Sequence, residues 1–165
     1  MIKCFIFTFF VCATANADGP NSLVNKVVPA YPNGTEVYEA SCISDALGAE
    51  RGCEIAIEVL KVKDGNPISI LAKKVIKNNL QGTSQSQWLI TDKIEYPKID
   101  AGESLVLTQC RLNGKLDRTI LAVVVDSKTE WLAVKGWARK VDLSTGKFLV
   151  INSSGIQCEN LGWGL

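Results

Sequence analysis

Apolar and polar residues alternate with a period of two at residues 54–59, where Ile55, Ile57 and Val59 fall on one face and Glu54, Ala56 and Glu58 on the other. This alternation marks a strand with one face against a core and the other toward water. Residues 37–42 (Val37 to Cys42) predict an earlier strand, and residues 88–96, between a polar loop and Pro97, a later one. In residues 104–111, Leu105 and Leu107 share one face while Val106 and Cys110 share the other. Residues 120–125 (Ile-Leu-Ala-Val-Val-Val) are apolar on both faces, so this strand should be central and covered on both sides. Residues 130–142 and 148–151 flank a Ser144-Thr145-Gly146 turn and predict a hairpin.

Turn signals separate these runs. Asp64-Gly65-Asn66 and Asn113-Gly114 are tight-turn sequences, the second being the strongest hairpin signal in the chain. Residues 67–80 carry two conflicting signals. Asn66 as N-cap, Pro67 in first helical position and apolar residues at 68, 71, 72, 75 and 76 fit a helix. Richness in β-branched residues after a turn fits a strand, which is the expectation, with one short helix as the alternative. Residues 18–34, with Pro20, Pro29, Pro32 and Asn33-Gly34, predict an extended arm with little regular structure, and the tail after Ser153 an irregular one. Short strands separated by turns predict an all-β, mainly antiparallel fold, a small sandwich or barrel.

The first residues change the picture of where this fold forms. Lys3 precedes an apolar run from Cys4 to Ala13, followed by Ala15-Asn16-Ala17. A basic start, a short apolar stretch and a small-x-small site read as a signal peptide over residues 1–17. The run falls short of the roughly 20 apolar residues of a membrane-spanning helix. The expected organisation is therefore a signal peptide (1–17), an extended arm (18–36) and a single β domain (37–165), periplasmic or secreted, with no membrane span after cleavage.

Export bears on the cysteines. Of the six, Cys4 and Cys12 leave with the signal, and Cys42, Cys53, Cys110 and Cys158 remain, an even number suited to two disulfides. Three pairings are open. The favoured one joins Cys42 to Cys53 and Cys110 to Cys158. A zinc site is not expected, because no two of these cysteines form a close pair and the chain has no histidine. No cofactor is expected either.

Charge narrows the partners. The chain has 18 Lys and Arg against 17 Asp and Glu, and loss of Lys3 balances them. A nucleic-acid partner is not expected, since such binding draws on a basic surface. The lack of histidine removes the commonest general base. Pairs of acids remain for chemistry, with Asp92 and Glu95 beside Tyr96, and Asp126 with Glu130, at unspecific spacings. Lys73, Lys74 and Lys77 read as a solvated basic face.

The strand at 131–141 is the strongest surface candidate. Leu132, Val134, Gly136 and Ala138 form its core side, and Trp131, Ala133, Lys135, Trp137 and Arg139 its other side. Trp131, Lys135, Trp137 and Arg139 would make a cation-π platform for a sugar, an aromatic ligand or a partner's loop.

Trp137-Ala138-Arg139, residues 144–148 and Cys158-Glu159-Asn160, in the last third of the chain, resemble small exported bacterial proteins of no assigned function, a likeness that carries over no site. The expected function is a small non-catalytic binding or inhibitor module of the bacterial periplasm or cell exterior, with an envelope or secreted protein as partner. The alternatives are a carboxylate-dependent hydrolase acting on envelope polysaccharide and an assembly component that lends its arm to a neighbour.

Overall fold

The structure, a computed structural model, describes residues 23–29, 31–43, 53–77 and 86–164. The signal-peptide reading of residues 1–17 and most of the Cys42–Cys53 loop lie outside them. Twelve strands and no helix are found among the described residues, all pairings being antiparallel.

Five strands make the first sheet, in the order β1 (Val27–Val28), β5 (Gln87–Glu95), β4 (Pro67–Lys77), β3 (Ile55–Val62), β2 (Thr35–Ile43). The ambiguous segment is a strand over its described residues, 67–77: β4 lies between two long neighbours, where β-branched side chains pack well. The second sheet has seven strands, running β6 (Glu103–Leu107), β9 (Ile120–Val125), β10 (Trp131–Asp142), β12 (Ile156–Glu159), β7 (Cys110–Leu112), β8 (Lys115–Asp117), with β11 (Lys147–Val150) paired to β10.

This second sheet closes on itself. Only Thr108 and Gln109 separate β6 from β7, and the Thr108 N–H donates to the Ile120 carbonyl at 3.1 Å. The path β9–β10–β12–β7 therefore returns through β6 to β9. One face of β9 (Ile120, Ala122, Val124) fills the resulting small barrel with Leu132, Ala138, Ile156, Cys110 and Cys158. On the other face, Leu121 joins Leu107 and Val141 against Ile43, Ile55, Ile57, Val59 and Ile70 of the first sheet. The all-apolar reading of residues 120–125 follows, because β9 is the wall shared by two cores.

A third cluster covers the outside of the first sheet. Val28 packs on Leu60, Leu71 and Ile90, flanked by Leu23, Tyr31 and Trp88. The arm is thus ordered over residues 23–28, with the Asn25 N–H donating to the Ile90 carbonyl at 2.9 Å and the Ile90 N–H to the Lys26 carbonyl at 3.0 Å. Consequently β3 is buried on both faces, not one. Glu58 (3% exposed) and Lys73 (6% exposed), read as solvated groups, form an ion pair beneath the arm. Lys73 also lies 3.4 Å from the Tyr31 hydroxyl and over the Trp88 ring. Desolvation raises the Tyr31 phenol above its usual range, followed by the hydrogen bond that Glu58 accepts from it and the charge of that carboxylate.

Both expected disulfides are present, Cys42–Cys53 and Cys110–Cys158. The second joins directly opposed residues of β7 and β12, so the tail contains a strand where an irregular segment was expected. Residues 104–111, expected as one strand, break at Thr108, whose φ of 59° turns the chain from one core to the other.

Candidate functional site

Residues 96–102 carry the chain from β5 to β6, and therefore from one sheet to the other. An open cleft lies on each side of this linker, and the two share Tyr96, Pro97 and Glu103.

The first cleft, about 660 Å³, is walled by Ile94 and Tyr96 at the end of β5, Lys98 and Asp100 of the linker, and Lys135, Trp137 and Arg139 of β10. Trp137 backs onto the core between the sheets, so one side of its indole is packed and the other borders the cleft. The Arg139 guanidinium sits 4.9 Å from the Trp137 ring centre and donates to the Ala138 carbonyl at 2.9 Å.

Ion pairs fix the linker. Lys98 pairs with Asp100 at 2.8 Å, and Lys135 with Glu103 Oε1. Glu103 Oε2 accepts the Asp100 N–H at 3.1 Å. The hydrogen bond from Lys135 holds the Glu103 carboxyl below its ordinary range, and that from Lys98 does the same for Asp100.

The second cleft, about 580 Å³, is lined by Tyr38 and Glu39 of β2, Asn66 and Pro67 of the β3–β4 turn, and Ser104 and Leu105 of β6. A bulge between Val37 and Glu39 interrupts β2 here. Glu39 lies opposite Val59 and so faces the seam between the sheets. Partial loss of water raises its carboxyl above the usual range. The Tyr96 phenol is also raised, first by desolvation and then by the charges of Tyr38 and Glu39.

The four platform residues do not lie in one site. Lys135, Trp137 and Arg139 border the first cleft, whereas Trp131 lines a separate one of about 350 Å³ with Arg111, Arg118 and Glu159. The cause is a bulge between Val134 and Ala138, with Gly136 at a φ of 73°. Bulges bend a strand and add twist. Each tryptophan therefore has its own arginine, Arg111 lying 3.8 Å from the Trp131 ring centre. Trp163, at the exposed tail, joins neither.

Tyr38, Glu39, Tyr96, Lys98 and Glu103 carry no local motif that would mark them in the sequence. They come together only because the linker crosses between sheets. Among the described residues, no group of three or more His, Cys, Asp or Glu side chains is placed to hold a metal ion. No helix among them is long and apolar enough to cross a membrane.

No protein family, curated protein or solved structure matches the chain.

Proposed function

We propose that this chain is a small exported binding or inhibitor module that engages an envelope or secreted protein through the paired clefts and does no chemistry of its own. The observation that carries this reading is the state of the clefts. They offer open aromatic surface at Tyr38, Tyr96 and Trp137, while the ion pairs hold the linker in a fixed shape. A pre-ordered surface with aromatic anchors suits tight association, because little ordering is left to oppose binding. The two disulfides are compatible with an oxidising compartment outside the cytoplasm.

The test is capture from envelope and secreted fractions with the oxidised chain beginning at Asp18, followed by purification of the retained protein and titration. The expected result is a 1:1 complex weakened by Trp137→Ala. Absence of any saturable protein partner would overturn the reading. Export itself is checked by N-terminal sequencing of the protein from cells, with Asp18 expected first.

One observation favours hydrolysis as a second reading. Glu39 and Glu103 line the same cleft with carboxyls shifted in opposite directions, as an acid and its partner would be. Against it, both Glu103 oxygens are already engaged, by Lys135 and by the Asp100 N–H, leaving that carboxylate poorly placed to attack or to take a proton. Release of reducing ends from envelope polysaccharide by wild type but not by Glu39→Gln would establish the hydrolase.

A further inference from the structure

The second cleft is lined by two carboxylates, Glu39 and Glu103, and no cation, whereas the first sets Lys98, Lys135 and Arg139 against Glu95, Asp100 and Glu103. Asp100 and Glu103 are neutralised by Lys98 and Lys135, and nearby Glu36 by Lys61 at 2.8 Å. Glu39 lies on the seam side of β2 with its side chain still exposed at the cleft, and it takes no hydrogen bond or ion pair from any described residue. An unpaired, accessible carboxylate in a cleft without a cation of its own is open to pairing with a cation brought by another molecule.

The surroundings select the kind of cation. Tyr38, with 56% of its surface exposed, and Tyr96 border the cleft, together with Pro67 and Pro97. Flat aromatic and proline faces beside one unpaired carboxylate suit a planar, weakly hydrated guanidinium better than a compact, strongly hydrated ammonium. The fold already stacks arginines in this way, Arg111 on Trp131 and Arg139 on Trp137, while its lysines over rings stand farther off, Lys73 at 5.2 Å from the Trp88 centre and Lys61 at 5.8 Å from that of Tyr38.

We propose that the cleft between β2 and β6 receives an arginine side chain of the partner protein, its guanidinium paired with Glu39 and laid against Tyr38 and Tyr96. This inference rests on the binding reading above and names the group recognised. Asn66 and Ser104 at the rim offer further acceptors for the guanidinium N–H groups.

The experiment uses the oxidised chain from Asp18 and follows backbone amide shifts by NMR during titration with N-acetyl-arginine amide. Its neutral isostere, the citrulline derivative, and the lysine derivative serve as comparisons. Saturable shifts at Tyr38, Glu39, Tyr96 and Ser104 are expected with arginine and not with citrulline. Loss of the charge–charge contact in Glu39→Gln should weaken binding about tenfold or more. Tyr38→Ala, at an exposed position, should weaken it as well. Equal binding of citrulline, unchanged binding by Glu39→Gln, or no saturable shift would overturn the proposal, and equal affinity for lysine would overturn the guanidinium assignment. A captured partner that still binds Glu39→Gln and Tyr38→Ala but is lost with Trp137→Ala would overturn the arginine site alone. Saturable arginine binding with no protein partner would instead remove the parent reading and retain the cation site.

Discussion

Two residues show how a polar group in a β protein is decided by what covers it. Lys73 and Glu58 lie under the arm, with Glu58 Oε1 unpartnered, so each depends on the other for charge compensation. Replacing one member of a buried pair strands the other, at a cost of about 3–5 kcal/mol, whereas replacing both with apolar groups is often close to neutral. Lys73→Met is therefore expected to lower stability by that amount, and Glu58→Leu with Lys73→Met to recover most of it, as read from denaturant midpoints. Asp142 is the exposed counterpart. Its Oδ1 accepts the Ser144 hydroxyl at 2.5 Å and the N–H groups of Ser144 and Thr145 at 2.8 and 2.9 Å. The Ser144 hydroxyl, followed by the Thr145 N–H, brings its carboxyl down to about 2 from the usual 3.8. A carboxyl depressed in the folded state adds stability above its unfolded value, and that stability is lost as pH falls through the folded one. The denaturation midpoint should therefore fall between about pH 4 and pH 2. Asp142→Asn should start lower at neutral pH and fall less steeply over that window, and equal slopes would remove Asp142 from the account.

At the scale of strands, sequence legibility followed the locality of the signal. β9 was readable as central because its apolar character on both faces is a property of six consecutive residues, and both cores need it. The Asn113-Gly114 hairpin was readable for a similar reason, since both residues adopt positive φ, as a two-residue hairpin turn requires. β12 was not readable: four residues, Ile156–Glu159, with two buried side chains among glycine-rich neighbours, depend on pairing with β7 and β10. The buried outer face of β3 was hidden as well, because the cover comes from the arm and leaves no trace in the alternation of β3 itself. The disulfides differ in what they hold. Cys110–Cys158 spans 48 residues and sits inside the barrel, while Cys42–Cys53 spans 11 at the end of β2. Loop-closure entropy assigns them about 4 and about 3 kcal/mol. Cys110→Ala with Cys158→Ala is expected to cost the larger amount and to speed amide exchange at Ile120, Ala122 and Val124, because β12 loses its tie. Cys42→Ala with Cys53→Ala should leave exchange in the barrel unchanged.

For the whole molecule, the question is whether the chain satisfies its own edges. The candidate site was half visible in sequence: the alternation of β10 placed Lys135, Trp137 and Arg139 on one face, but the opposing wall comes from the end of β5 and the linker, which are distant in sequence. The same long-range assembly bears on the idea of a donated arm. An arm free to reach a neighbour would leave Leu60, Leu71 and Ile90 uncovered, but Val28 fills that position within its own chain and is almost fully buried. The long edge strand β2 is also guarded, by the bulge after Val37 and by Glu39 facing the seam, two devices that oppose edge-to-edge pairing. The chain beginning at Asp18 should therefore be a monomer whose sedimentation does not change across a wide concentration range. Deleting residues 18–28 should expose the Leu60–Leu71–Ile90 patch and produce dye binding and concentration-dependent association. A concentration-dependent dimer of the intact chain, dissociated by that deletion, would show instead that the arm is exchanged between copies.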